Sequence, residues 1–546
     1  MTIRETYDYV IVGAGSAGCA LANRLSEDPQ TSVLLLEAGP EAEALEISMP
    51  AGFPNLFKTR WDWQYTTTPQ PGLGGARSYW PRMKATGGCS SMNAMIYIRG
   101  NRADYDGWRR DFGAAGWAYE DVLPYFVRSE TNSSLAAPYH GKTGPLHVED
   151  RRYTHELVDK WVAAAMENGL EANDDFNGAA QEGVGRYQVT CKDGRRWSTA
   201  EGYLKQAQQR ANFTLRTGAQ AHRLILEGAR AVGVEYEQGG RRHEVGAAGE
   251  VILSGGAINS PQLLMLSGIG PADHLAEVGV DTVVDLPGVG QNLHDHPVVC
   301  VMWRTVDASD IAIDYVNPKR LIQWQLTGRG PLSSNVGEGG GFVHTRSGLA
   351  GPDIQFHILG TGFYNNGFQE PTDRMTTNGV TLVDVASRGS LRLAGSDPTW
   401  RPIIDPRYFS EEIDRQVTRD GLRRAFAIAA ENPLRDHIVG PFGRPSDDVG
   451  DAALDAYIDK YTQTLFHPVG TCAMGSHAEA VVDPELRVRG IEGLRVADAS
   501  VMPRVTRGNT NAPSIMIGEK AADLIRGTSL APAGVVRNSK VEETIR

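Results

Sequence analysis

Tyr7-Asp8-Tyr9-Val10-Ile11-Val12-Gly13-Ala14-Gly15-Ser16-Ala17-Gly18 is the stretch whose reading decides the fold. Its first six residues form a β-prone run that predicts a buried strand. They lead directly into a G-x-G-x-x-G turn, and Ala17 to Leu25 then places Ala20, Leu21 and Leu25 at helical spacing. A second strand, Ser32-Val33-Leu34-Leu35-Leu36, ends on Glu37. Each glycine has a physical task. Gly13 makes the tight turn, Gly15 admits a pyrophosphate against the backbone, and Gly18 lets the helix lie close to the strand. The helix start aims free N–H groups and a positive dipole end at the phosphates. Glu37, about 20 residues beyond the turn, is placed to accept from ribose hydroxyls. Strand, turn, helix, strand and acid in this order predict a dinucleotide site. FAD and NAD both use such a unit, so this stretch leaves that choice open.

The rest of the composition suits a large enzyme. The chain has 546 residues, 41% of them hydrophobic and 22% charged, which predicts two to four domains with an ample core. A net charge of −12 argues against a nucleic-acid partner or a strongly anionic membrane surface. Five scattered cysteines without a C-x-x-C read as free thiols of a reducing compartment. No signal peptide or run of eighteen apolar residues is visible, so a cytoplasmic location is expected, with peripheral contact at the inner face of the membrane left open.

Residues 40 to 80 are irregular and carry Trp61, Trp63 and Tyr65, an excursion of the kind that covers a ligand. Gly87-Gly88-Cys89-Ser90-Ser91 is a second place where backbone can approach a ligand; equally, it reads as a glycine loop capping a helix at Ser90 or Ser91. Asp104 to Phe126 predicts helix, turn, helix, and Leu157 to Asn168 an amphipathic helix. Arg186 to Cys191 alternates like a strand. Phe213–Thr217, Leu224–Leu226 and Ala231–Tyr236 predict a β-meander, followed by a separate buried strand at Glu250–Ser254. That strand opens into Gly255-Gly256 and a helix with Pro261 near its start. From 300 to 460, strand-like runs at Asp353–His357, Gly379–Val383 and Gly389–Leu393 mix with helices such as Glu411 to Ala430, predicting an antiparallel sheet with helices.

Four blocks together resemble the glucose–methanol–choline (GMC) oxidoreductases. They are Gly13 to Glu37; Gly87-Gly88-Cys89-Ser90-Ser91-x-Asn93; Gly256-Ala257-x-x-Ser260-Pro261 with Ser267-Gly268-Ile269-Gly270; and His467-Pro468-Val469-Gly470-Thr471 with Asp498-Ala499-Ser500 and Asn509-Thr510-Asn511. They occur in family order across nearly the whole chain. The resemblance implies an α/β + α+β fold, a Rossmann-like FAD-binding domain beside a substrate domain of antiparallel sheet and helices. It implies FAD-binding segments at 1–155, 201–298 and 463–526, substrate-domain segments at 156–200 and 299–462, and a polar tail at 527–546. It further implies that Gly13, Gly15, Gly18 and Glu37, with Ser16, Ala17 and Ala38 beside them, bind the ADP half. Gly87, Gly88, Ser91, Asn93 and Ala94 would lie along the flavin and its phosphates. Ala221 would meet the adenine, and Asp498, Ala499 and Thr510 would cap the pyrophosphate and flavin.

Two departures matter. Covalently flavinylated choline oxidases have a histidine where this chain has Met92, so FAD is expected to be non-covalent. They also place a glutamate for the quaternary ammonium directly after Asp-His-Pro, where this chain has Val298, so choline is disfavoured. The wording is closer to bacterial aliphatic and aromatic alcohol dehydrogenases of the family.

An alcohol loses a hydride from carbon and a proton from oxygen; the flavin takes the hydride, and the protein must handle the proton. A neutral histidine is the natural base near pH 7. The family match selects His467, with Asn509 as hydrogen-bond partner of the substrate oxygen. His357 is a second candidate with an equally good structural reading. His294 and His296 flank Asp295 at a spacing that makes a poor metal site, and no metal is expected. The expected activity is FAD-dependent oxidation of a neutral primary alcohol, with electrons passed to a quinone-type acceptor. The alternatives are an oxidase using O2 and releasing H2O2, and a hydroxynitrile lyase-like protein with redox-idle FAD.

Overall fold

The computed structural model describes residues 5–306, 317–363, 365–368, 373–443 and 449–534. Part of the expected tail, residues 535–546, lies outside the described residues. The strand Thr6–Val12 forms and feeds the helix Ser16–Leu25, after which Val33–Leu36 returns in parallel beside it. All four residues of Val33–Leu36 are buried, as a strand covered on both faces requires. The parallel sheet runs in the order Phe213–Arg216, Val33–Leu36, Thr6–Val12, the end of Arg241–Leu253, and Leu494–Val496.

Two sequence expectations change here. Phe213–Arg216 does not belong to the meander; it pairs in parallel with Val33–Leu36, Phe213 opposite Val33. Gly218, at φ +63°, then turns the chain away, and the meander is Ala219–Glu227, Arg230–Gln238 and Arg241–Leu253. The buried strand read at Glu250–Ser254 is the last part of that thirteen-residue strand. Its first half pairs antiparallel with Arg230–Gln238 and its second half parallel with Thr6–Val12 and Leu494–Val496. A register shift between Tyr7 and Tyr9 lies at the change of partner.

A second sheet is wholly antiparallel. Its order is Ile438–Phe442, Pro297–Thr305, Met375–Leu382, Ile354–Leu359, Gly337–Val343 and Gly183–Arg186, with Thr462–Thr464 also on Pro297–Thr305. Glu412–Ala429 packs on it, where Gly421 leaves room for Val380 and Ile354. The strand expected at Gly389–Leu393 is not in this sheet: Ser390–Arg392 makes a small hairpin with Ile403–Asp405. The strand expected at Arg186–Cys191 does not form over that span: Gly183–Arg186 is the edge strand beside Gly337–Val343, and Cys191–Lys192 pairs instead with Arg195–Arg196. Among the described residues no helix is long and apolar enough to cross a membrane.

The C-terminal helix Asn511–Arg526 closes the parallel layer by lying on Ser16–Leu25. A Cβ on Gly518 would fall 2.4 Å from the Ala17 carbonyl, so the backbones touch. One buried carboxylate locks the contact. Glu519 accepts from Arg24 Nε at 2.9 Å, Arg128 Nε at 2.7 Å and the Tyr203 hydroxyl at 2.8 Å. Removing one partner of such a cluster leaves the others uncompensated, at about 3–5 kcal/mol. Glu519→Ala is therefore expected to lower the thermal unfolding midpoint by several degrees, and an unchanged midpoint in a calorimetric scan would exclude this role for the cluster.

Candidate active site

Three glycine turns meet beneath the start of the Ser16–Leu25 helix. Gly13 has φ +104°, and a Cβ there would sit 2.5 Å from the Ser254 carbonyl oxygen. A Cβ on Gly88, at φ +50°, would sit 2.7 Å from Gly15 Cα. The Gly87 N–H donates to the Ala14 carbonyl at 2.7 Å, joining the first two turns. Asp498 joins the third: it accepts from the Gly256 N–H at 2.8 Å, the Ser260 hydroxyl at 2.6 Å and the Ser500 N–H at 2.8 Å. Glu37 accepts from the N–H groups of Ala14 at 3.0 Å and Gly39 at 2.8 Å, while burial pushes its carboxyl upward. Each of its oxygens keeps a further lone pair for a ligand hydroxyl.

A single cavity of about 340 Å³ runs from these turns to His467. Gly13, Gly15, Ser16, Ala17, Glu37, Ala38, Gly88, Asn93, Ala94, Ala221, Asp498, Ala499, Thr510, His467 and Asn509 all line it. Three residues singled out in the sequence shape it from behind. Gly18 packs against the Gly13 carbonyl, where a Cβ would come within 2.0 Å. Gly87 takes a left-handed turn at φ +82°. Ser91 is buried with its hydroxyl donating to the Thr86 carbonyl at 2.9 Å. Gly15 caps its helix without a side chain and no acid stands in the first turn, so the helix start keeps its affinity for an anion. The bare glycine surface, the uncapped helix and the spare Glu37 lone pairs fit a dinucleotide pyrophosphate and ribose.

At the far end, Asp295 holds the loop of His467. Its carboxylate accepts from the His467 backbone N–H at 2.7 Å, from Thr464 Oγ1 at 2.6 Å and from the Tyr408 hydroxyl. His296 Nδ1 stands 3.0 Å from His467 Nδ1, with the rings edge to face. Asn509 Nδ2 lies 3.4 Å from His467 Nε2, and Asn509 Oδ1 accepts from Gln355 Nε2 at 3.2 Å. Burial, with His296, His357 and Arg82 nearby, pushes His467 well below the ordinary histidine range. Burial takes His296 and His357 down to about 3. Burial therefore holds all three rings neutral near pH 7. His357 also lines the cavity, its Nδ1 3.2 Å from Thr381 Oγ1. The sequence pattern did not show His296 as the neighbour of His467. His296 immediately precedes the strand Pro297–Thr305, and its carbonyl accepts from the Leu465 N–H at 2.9 Å, which brings it beside the turn that carries His467.

The wall around His467 is apolar. Phe57 and Phe466 have ring centroids 5.7 Å apart, and Phe53 and Phe363 6.5 Å apart. Met92, Val298 and Val336 complete it. Phe466 and Val336 both hold φ +69°, left-handed backbone that costs of order 1–3 kcal/mol each and that only a fixed surrounding maintains. Among the described residues, the carboxylates that line the cavity are Glu37 and Asp498, both at the glycine end. The Lys58 ammonium sits 3.7 Å over the Phe368 ring, on the outer side of the aromatic cluster.

Comparison with known proteins agrees with this picture. Two sequence profiles, both described as GMC oxidoreductase, match residues 7–298 and 385–518. An uncharacterised GMC-type oxidoreductase of Mycobacterium tuberculosis is 47% identical over 530 residues, 95% of this chain and 99% of that protein. Human mitochondrial choline dehydrogenase is 42% identical, over 96% of this chain and 90% of its own. Among solved structures, a variant of Aspergillus oryzae formate oxidase, studied for FAD modification, superposes with a TM-score of 0.90 at 28% identity, over 96% of this chain and 99% of that one.

The close approach of Gly88 to Gly15 gives a test of cofactor retention. Met92 is 4% exposed on the cavity wall, and a thioether forms no histidyl–flavin bond. Acid precipitation of the wild-type protein is therefore expected to release all flavin into the supernatant. Gly88→Ala, whose methyl group would strike Gly15, is expected to purify with less than about a tenth as much to release, given that a strained φ and an overpacked contact add. Full flavin content in that variant would show that the turns can part.

Proposed function

The chain belongs to the GMC oxidoreductase family and FAD is its cofactor; from that premise we propose that it oxidises a neutral primary alcohol, aliphatic or aromatic, to the aldehyde and passes the electrons to a quinone-type acceptor. The observation that carries this reading is the pair His467 Nε2 and Asn509 Nδ2, 3.4 Å apart at the apolar end of the cavity. FAD, when bound, supplies the hydride acceptor. Gly13, Gly15 and Gly88 would hold its phosphates by backbone, Glu37 its ribose, and Asn93, Ala94 and Thr510 its flavin end. His467 takes the hydroxyl proton at Nε2, a task suited to a ring kept neutral by burial. Asn509 donates to the same oxygen as its negative charge grows. The aromatic wall excludes water and fixes the carbon chain.

A cationic substrate is disfavoured because the catalytic end offers it nothing to pair with. Val298 stands there without charge, and Glu37 and Asp498 are committed at the other end. The aromatic cluster could attract a quaternary ammonium through its ring faces, but Lys58 already covers Phe368 and places a positive charge beside the cluster.

Anaerobic bleaching of the flavin by a panel of alcohols tests the proposal. Neutral primary alcohols are expected to bleach it with kcat/KM far above that of choline, and slow recovery of colour on admitting O2 would mark a dehydrogenase. Choline outperforming a neutral alcohol of similar size would overturn the substrate class. In the same assay His467→Ala is expected to keep its flavin and fold while slowing reduction by about 10²- to 10⁴-fold. Reduction at the wild-type rate would remove His467 from the chemistry.

A further inference from the structure

His467 can accept a proton at Nε2 only if its ring proton sits on Nδ1, and the residues that decide this lie outside the His467–Asn509 pair. Gln355, on the strand Ile354–Leu359, is fully buried. Its Nε2 is 3.2 Å from Asn509 Oδ1 and 3.5 Å from the Tyr187 hydroxyl oxygen. The Tyr187 hydroxyl in turn donates to the Phe356 carbonyl at 2.6 Å. A hydroxyl has one proton. With that proton on Phe356, the Tyr187 oxygen faces Gln355 as an acceptor only, so the atom of Gln355 beside it must be the NH2 group. That NH2 group then meets Asn509 as a donor, which requires Asn509 Oδ1 on its side and Asn509 Nδ2 on the side of His467. An NH2 group facing Nε2 requires Nε2 to be bare. The ring proton is left on Nδ1, where His296 Nδ1 at 3.0 Å accepts it.

We propose that Tyr187 and Gln355 are positioning residues that set the direction of this hydrogen-bond chain and thereby hold His467 in the tautomer with a free Nε2. The fixed end of the chain is a backbone carbonyl, which cannot reverse. Beyond the Tyr187 hydroxyl that it orients, every link is a group that can: two primary amides that flip and two imidazoles that exchange tautomers. Reversing the chain would turn Asn509 Oδ1 toward His467, draw the proton to Nε2 and block the lone pair that the alcohol needs. No step beyond the proton transfer from alcohol oxygen to Nε2 is added; the chain selects which ring form is present before it.

The inference rests on the proposed role of His467, and its test separates the two. In Gln355→Glu the introduced carboxyl sits in a dry site and titrates above the ordinary carboxylate range. While neutral it can donate to Asn509 Oδ1 as the amide does. Once ionised it only accepts, and Asn509 must turn its NH2 group toward it. The rate of flavin reduction by a neutral primary alcohol is therefore expected to fall tenfold or more as pH rises through that titration, a limb absent from the wild-type profile, with flavin content unchanged and the thermal midpoint falling only gradually, as a carboxyl held neutral by burial requires. Ring ¹⁵N shifts of His467 in the flavin-loaded protein are expected to pass from the Nδ1–H to the Nε2–H form across the same pH span. Gln355→Met, which can neither donate nor accept, is expected to lose about two- to fivefold in rate, to show mixed tautomers and to gain no such limb. A wild-type pH profile in Gln355→Glu, or a single unchanged tautomer in both variants, would overturn the proposal. If no alcohol bleaches the wild-type flavin, the functional reading fails, and the ring-nitrogen measurement, which needs no substrate, still decides this one.

Discussion

Contact between bare backbones is what the rest of this molecule depends on. Gly15 and Gly88 approach so closely that a single methyl group would separate them, and Gly13 stands in the same relation to the Ser254 carbonyl. These contacts bring together the ends of two parallel strands and the loop before Asn93, and Asp498 adds the third turn through hydrogen bonds to Gly256 and Ser260. A site built from backbone groups is insensitive to side-chain rotamers, which suits a ligand held by phosphates. One cavity joins these turns to His467.

The end of the cavity at His467 follows a different design. There side chains do the work, and they come from both layers. His467 and Asn509 flank the return to the parallel sheet, while His296, Gln355 and His357 come from the antiparallel sheet or its entry. Desolvation is the common control. It keeps three imidazoles neutral in one buried cluster, and it makes each hydrogen bond among these groups directional, since a misplaced buried donor is costly.

Much of this was legible in the amino-acid order, and the parts that were not share a cause. The Gly13–Gly18 turn declares itself because strand, turn and helix are neighbours in the chain, so local spacing carries the whole signal. Phe213–Arg216 has the same local alternation as a meander strand; its true partner, Val33–Leu36, lies about 180 residues away, and nothing in either segment names the other. Gly389–Leu393 is similar, a β-prone run whose short partner diverts it from the large sheet. His296 read as part of a poor metal spacing, and its link to His467 exists only once Asp295 has gathered the Leu465–His467 turn. Gln355 and Tyr187 carry no motif at all. Their significance lies in which atom faces which, and that is a property of packed neighbours.

The thirteen-residue strand Arg241–Leu253 and the helix Asn511–Arg526 have a consequence for the order of events during synthesis. The central parallel sheet is incomplete until Leu494–Val496 adds to one edge of that strand, and the nucleotide helix Ser16–Leu25 stays uncovered on its outer side until Asn511–Arg526 arrives. Residues 6–36 thus wait for residues 494–526 before their own layer closes. Contacts of such long sequence separation form slowly, and an early, half-covered apolar helix is the kind of surface that folding helpers bind. A chain interrupted before residue 490 would carry the glycine turn without the strand and helix that close its layer.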